Sequence, residues 1–139
     1  MPTASSPIAS RAKLLKVFRI LAGLIAGLVL VQAWMAGHSD LLFGELSIVA
    51  HGIVGNISYL FAVGALVVAI VARANKAAVG VAAAIVVLMT VQIGLGYTGR
   101  ESNDAAAWHI PIGVTIFGLA IHQVSVARAL ARGTAAFDA

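Results

Sequence analysis

The sequence predicts an all-α integral membrane protein, a bundle of four membrane-spanning helices. Hydrophobic residues fill 61% of the 139 positions and charged residues only 10%, whereas a soluble domain carries about 25% charged residues. Four apolar stretches, each close to the ~20 residues that cross a bilayer as a helix, are joined by short connections. These observations exclude a soluble globular protein and leave room for a single four-span domain, residues 1–139.

The spans are predicted in order at residues 14–36, 48–72, 77–97 and 108–127. The first is too long for the apolar core of a signal peptide, has basic residues in its first turns and lacks a convincing cleavage site, so we expect it to be retained. Within it, Gly23 and Gly27 form a pattern that allows close helix approach. The polar run before Arg11 and the Gly/Ala-rich tail after Arg132 are expected to fray.

The basic residues predict the orientation. Eight of the nine Lys and Arg residues fall on one side of the predicted spans, and only Arg100 falls on the other. By the positive-inside rule both termini are cytoplasmic. Trp34, Tyr97 and Trp108 cluster at the opposite boundary, as in an interfacial aromatic belt. The net charge of +4 therefore reflects topology and not a nucleic-acid partner, and we expect a multi-pass protein among the lipids of a bacterial inner (plasma) membrane.

An internal repeat relates the two halves of the chain. The pair Val31-Gln32 precedes His51-Gly52-Ile53-Val54-Gly55, and the pair Val91-Gln92 precedes His109-Ile110-Pro111-Ile112-Gly113. Apolar segments match easily by chance, but polar side chains are rare in membrane helices. The repeat predicts two helical hairpins related by a pseudo-two-fold axis along the membrane normal, with His51 facing His109 and Gln32 paired with Gln92.

The two repeated histidines predict a haem site near the outer face. At ~1.5 Å per helical residue they lie roughly 33 and 28 Å from the basic boundary, and two imidazoles at one level of a bundle suit a hexacoordinate iron. Gly55 and Gly113 would leave room for the porphyrin edge, or would simply allow close helix approach. Interhelical hydrogen bonds are sufficient to explain Gln32 and Gln92, and a bond to a histidine Nδ1–H or a haem substituent is the alternative. Histidines that only pack or reach water, and a metal or proton-relay role, are the alternatives.

The remaining polar residues predict no separate active site. With no cysteine in the chain, a metal centre must rely on His, Met or carboxylates. His38 is expected in a solvated turn near the haem propionates, and His122 is expected to form an interhelical hydrogen bond. Neither a nucleophile with its base nor a pair of carboxylates appears, so we predict no catalytic residues and no independent enzyme.

The segments Val91-Gln92-Ile93-Gly94-Leu95-Gly96 and His109-Ile110-Pro111-Ile112-Gly113 resemble the haem A synthase family. The half-domains of that family are four-helix bundles with haem-ligating histidines on the second and fourth helices, which implies His51 and His109 as ligands. The family has eight spans, an acidic residue three positions before its first histidine with a basic residue after it, and in many members a cysteine pair. Here Glu45 lies six before His51, Gly52 follows that histidine, and there is no cysteine. The resemblance therefore implies a haem-holding half without the methyl-group oxidation. The chain also resembles small four-span membrane proteins of high-GC bacteria.

These features predict a small cytochrome b-like membrane protein that binds one haem b through bis-His ligation, for electron transfer or haem handling. Filled axial positions favour outer-sphere electron transfer over oxygen chemistry, with a redox protein docking on the acidic outer loops. The alternative is a cofactor-free accessory or assembly subunit of a larger respiratory or transport complex. A homo-oligomer is compatible with either function.

Overall fold

The computed structural model describes residues 7–37, 47–99 and 102–135, and they form four helices. In chain order these are α1 (Pro7–Gly37), α2 (Ser47–Val71), α3 (Lys76–Thr98) and α4 (Asn103–Ala135). Each helix packs against two neighbours in the cyclic order α1, α2, α3, α4, so that α2 and α4 face each other diagonally. All four are long and apolar enough to cross a membrane. The predicted all-α bundle of four helices that are long and apolar enough to span a membrane is thereby confirmed, while His38 lies outside the described residues.

Two of the helices extend well beyond the predicted spans. α1 begins at Pro7 instead of residue 14, and proline suits a first helical position because its missing N–H needs no partner there. α4 covers 103–135 instead of 108–127. Hydropathy locates the apolar part of a helix, but the backbone hydrogen bonds continue through polar turns. The expectation that residues 7–10 and 133–135 fray was therefore wrong.

The short turn between α2 and α3 is held by polar contacts. Asn75 caps α3, its side-chain Oδ1 accepting a hydrogen bond from the Ala78 N–H at 2.9 Å, as expected for an N-cap asparagine. Arg73 adopts a positive φ of 49°. Arg11 on α1 donates from Nε to the Ala72 carbonyl at 3.1 Å. We call the end of the bundle with this turn, where α1 begins and α4 ends, the terminal end, and the opposite end the histidine end.

The interior of the bundle is lined mainly by small residues, and the large aliphatic side chains point outward. Leu60 is 68% exposed and Ile110 is 70% exposed, as befits a surface in contact with lipid. Small residues inside allow membrane helices to approach closely. The buried positions recur with a constant offset of 60 between α1 and α3 and of 58 between α2 and α4. On α1 these positions are Phe18, Ala22, Ile25 and Val29, which correspond to Ala78, Ala82, Ile85 and Met89 on α3. On α2 they are Ser58, Ala62, Ala65 and Ala69, which correspond to Ile116, Ala120, Gln123 and Ala127 on α4.

One member of this set is polar and fully buried. Gln123 is 1% exposed, and both atoms of its amide lack a hydrogen-bond partner among the described residues. Its neighbour His122 is exposed and bonds to no described residue, so the interhelical hydrogen bond expected for that histidine is not formed there. A buried amide without a partner costs about 1–3 kcal/mol. Gln123 is therefore a point where α4 is packed less favourably than α2, which has Ala65 at the corresponding position.

The glycine pattern of α1 faces away from the bundle. A Cβ built on Gly23 or Gly27 would meet no atom within 4 Å. The expected close helix approach through these glycines is therefore not made within the described part of the chain. They leave a shallow, open strip on the outer surface of α1.

Candidate functional site

His51 on α2 and His109 on α4 face each other across the centre of the bundle. Their ring centroids are 6.2 Å apart, and the ring planes are inclined by 52°. Both side chains are half-buried. The cyclic packing order of the four helices sets this geometry, because it places α2 and α4 diagonally opposite each other. The structure thus brings together the two histidines that the sequence singled out.

The separation of the two rings fits a metal ion between them. Two metal–nitrogen bonds of about 2 Å each, plus the distance from each nitrogen to its own ring centre, give roughly 6 Å between centroids for collinear rings. Nδ1 of both rings is buried without a partner, whereas Nε2 of neither ring is buried in this way. Each ring therefore has a nitrogen without a hydrogen-bond partner, as a metal ligand requires.

The two glutamines bind the histidine backbone. Gln32 Nε2 on α1 donates to the His51 carbonyl oxygen at 2.7 Å, and Gln92 Nε2 on α3 donates to the His109 carbonyl oxygen at 2.9 Å. The same contact therefore joins α1 to α2 and α3 to α4. The interhelical hydrogen bonds expected for these two amides are thereby found. The alternative expectation placed the amides on histidine Nδ1 or on a haem substituent, but the acceptor is the main-chain carbonyl, which hydropathy and spacing do not reveal.

The repeated glycines make this contact possible. In a helix the carbonyl of one residue lies beside the Cβ of the residue four positions later. A Cβ on Gly55 would lie 3.4 Å from Gln32 Nε2, and a Cβ on Gly113 would lie 3.0 Å from Gln92 Nε2. Glycine in the His-x-x-x-Gly pattern thus opens the histidine carbonyl to an amide from the next helix. The role of these glycines in leaving room for a porphyrin edge remains a prediction.

Gly96 is a site residue that the sequence reasoning missed. A Cβ at this position of α3 would lie 3.2 Å from His109 Cε1 and 3.6 Å from its Nδ1. The imidazole therefore packs directly on the Gly96 backbone, which limits its rotation. Gly96 follows Gln92 by four residues, on the same helix face, and that spacing is the signal that could have identified it.

A cavity of about 360 Å³ surrounds the histidine pair at the histidine end of the bundle. Pockets for small molecules and cofactors have volumes of about 300–1,000 Å³ and mostly apolar walls with a few polar groups. Walls from all four helices enclose this one, including apolar side chains such as Val29, Ile116 and Phe117. All six predicted site residues line it: Gln32, His51, Gly55, Gln92, His109 and Gly113.

The donor set restricts what the cavity can hold. Within residues 7–37, 47–99 and 102–135, no three His, Asp or Glu side chains cluster as a metal site. A bare structural metal such as Zn²⁺ needs about four ligands, and the described residues offer two facing imidazoles. A haem would need only two ligands from the protein, which is the number that these imidazoles supply.

The glutamine contacts give a stability prediction. Changing Gln92 to leucine keeps the side-chain volume but removes the amide donor, so we expect a loss of about 0.6–2 kcal/mol, the usual value of an interhelical hydrogen bond in a membrane. Gln32→Leu should behave alike. Unfolding of the purified protein in mixed detergent, followed by circular dichroism, measures the loss.

Thr115→Val is the matched control, because the Thr115 hydroxyl bonds only within its own helix, to the Pro111 carbonyl at 2.9 Å. This variant should remain within a few tenths of a kcal/mol of the wild type. Equal stability of Gln92→Leu and the wild type would show that the bond contributes nothing.

Comparisons of the chain with protein-family models, curated proteins and solved structures found no match. The functional interpretation therefore depends on the geometry of the site itself.

Proposed function

We propose that this protein binds one haem b between His51 and His109 and serves electron transfer or haem handling in a membrane. The observation that carries the proposal is the pair of imidazoles facing each other at 6.2 Å inside a mostly apolar cavity. Two imidazoles from facing helices are the ligands that a haem iron would need from the protein. Bound haem would supply a one-electron redox centre.

In this proposal the other residues position the ligands. Gln32 and Gln92 hold each histidine-bearing helix to its neighbour through the histidine carbonyl. Gly96 supports the His109 ring. The buried Nδ1 atoms are kept from water by the surrounding helices, and the unpartnered Gln92 Oε1 is an acceptor available in the same site. Apolar walls around a haem limit access of water and thereby influence its potential.

We further propose that the bundle is a repeat of two helical hairpins about a pseudo-two-fold axis. The duplicated Gln–His contacts support this relation, as do the buried positions that recur at constant offsets. The excess of Lys and Arg at the terminal end supports cytoplasmic termini and a bacterial plasma membrane. The histidine end would then face outward, where a redox protein or a larger membrane complex is the proposed partner.

Purification of the full-length protein and titration with haemin test the proposal. We expect saturation at one haem per chain, a Soret band, and sharp α and β bands after reduction, as for a low-spin bis-His centre. A protein that stays colourless with haem in excess would refute it.

A cofactor-free accessory or assembly subunit is the second candidate. The observation that favours it is that the Gln–carbonyl bonds explain the repeated Gln, His and Gly positions as helix packing alone. The open strip at Gly23 and Gly27 would then be a contact surface for other membrane helices. The haemin titration distinguishes the two candidate functions, because only the haem-binding protein should give an absorption band that saturates.

A further inference from the structure

Three arginines from two helices converge at the terminal end of the bundle, far from the histidine pair. Arg19 on α1 and Arg128 and Arg132 on α4 line a second cavity of about 360 Å³, together with Ala131. This cavity lies on the outer side of the seam between α1 and α4. Neither the fold nor the haem proposal uses these three side chains.

The arginines have no anionic partner among the described residues. Asp104 is the single carboxylate side chain in residues 7–37, 47–99 and 102–135, and it lies in the first turn of α4, at the histidine end. A guanidinium remains charged at any physiological pH. Three such groups around one cavity repel one another, so an anion bound between them would relieve that repulsion.

The depth of Arg19 indicates where that anion lies. From Arg19 to the end of α1 at Gly37 there are 18 residues, about 27 Å of helix at ~1.5 Å per residue. This nearly equals the ~30 Å thickness of the hydrocarbon layer. Arg19 therefore lies at the boundary between hydrocarbon and headgroups, at the level of lipid phosphates. One turn further into the membrane, Gly23 leaves the surface of α1 open, which gives space for a lipid chain.

We propose that Arg19, Arg128 and Arg132 bind the phosphate of an anionic phospholipid at the terminal end of the α1–α4 seam. Guanidinium groups bind phosphate oxygens through paired hydrogen bonds, and basic pockets between membrane helices are suited to anionic headgroups. The lipid would connect the first helix to the last through a shared anion.

Native mass spectrometry of the full-length protein in detergent tests the proposal with phosphatidylglycerol as the probe. We expect one tightly retained lipid per chain and clearly weaker retention of phosphatidylcholine, whose choline group cancels the phosphate charge. Each arginine near a membrane surface contributes about fivefold in affinity. The variant R128Q/R132Q should therefore bind phosphatidylglycerol roughly 25-fold more weakly.

Lys76→Gln is the control for the loss of a positive charge at this end, matched in charge to Arg19→Gln, because Lys76 is exposed at the same end on α3 but does not line the cavity. It should change the affinity by less than about twofold. Equal retention of the two lipids, or an equal loss in Lys76→Gln and R128Q/R132Q, would overturn the proposal. Displacement of the lipid by millimolar inorganic phosphate would also overturn it and assign the site to the free anion.

Arg19→Gln gives a second, independent variant should R128Q/R132Q fail to fold, as judged by its helical circular dichroism. A fivefold loss of phosphatidylglycerol affinity in this variant supports the proposal, and unchanged affinity contradicts it. The experiment needs no haem. A failure of the lipid site therefore leaves the haem proposal untouched, and the reverse is also true.

Discussion

Alanine at either His51 or His109 is expected to abolish the low-spin spectrum of the haem-loaded protein. In the proposed site each imidazole would supply one of the two protein ligands of the iron, so the loss of one would leave a high-spin iron with a broadened and shifted Soret band. The double variant should retain no haem through the purification. Absorption spectra of the oxidised and reduced proteins measure both effects.

These substitutions remove the imidazoles without removing the interhelical hydrogen bonds beside them. Gln32 and Gln92 bond the carbonyl oxygens of His51 and His109, not their side chains. Alanine at position 51 or 109 therefore keeps both interhelical hydrogen bonds, and the helical content should match that of the wild type. Loss of the spectrum can then be assigned to the missing ligand and not to unfolding.

His122→Ala serves as the control. His122 is exposed on α4 and does not line the cavity of the histidine pair, so its removal should leave the spectrum unchanged. Added imidazole should restore the low-spin bands in His51→Ala or His109→Ala, because it can occupy the space of the missing ring. Unaltered bands in both single variants would exclude the pair as the haem ligands.

The four helices were predictable because a membrane span is a property of length and apolarity alone. About 20 apolar residues identify a crossing, and α2 and α3 end within a residue of their predicted limits. The ends of α1 and α4 were not predictable in this way. Their outer turns are polar, and whether a polar turn remains helical depends on caps and local hydrogen bonds that hydropathy does not measure.

The residues of the site were predictable, but the hydrogen-bond acceptors were not. The repeat of a Val-Gln pair before a His-x-x-x-Gly pattern singled out His51, His109 and the two glutamines. Interhelical bonds of the glutamines were expected, but their backbone acceptors were not predictable, because every helical residue has a carbonyl. The sequence left two interpretations of the glycines open, space for a cofactor and close helix approach. The contact of the amides with Gly55 and Gly113 shows the packing role.

Leucine at position 113 is expected to prevent haem binding almost completely. Its Cβ would lie 3.0 Å from Gln92 Nε2, so the amide must shift and its bond to the His109 carbonyl, worth about 0.6–2 kcal/mol, is weakened. The rest of the side chain would enter the cavity, and overpacking typically costs another ~1–3 kcal/mol. Haemin titration and detergent unfolding of the same preparation measure the two losses separately.

Gly118→Leu is the matched control on the same helix, because a Cβ at Gly118 would meet nothing within 4 Å. It should bind haemin like the wild type, and equal impairment of the two leucine variants would show that the effect is general to α4.

Alanine at Gly55 and alanine at Gly113 are expected to differ in their effects. A Cβ on Gly55 would lie 3.4 Å from Gln32 Nε2, whereas a Cβ on Gly113 would lie 3.0 Å from Gln92 Nε2. Gly113→Ala should therefore weaken the bundle more than Gly55→Ala does. An equal or reversed order would mean that the Gln92 amide moves aside at little cost. The glycines would then be explained by the cavity that they line.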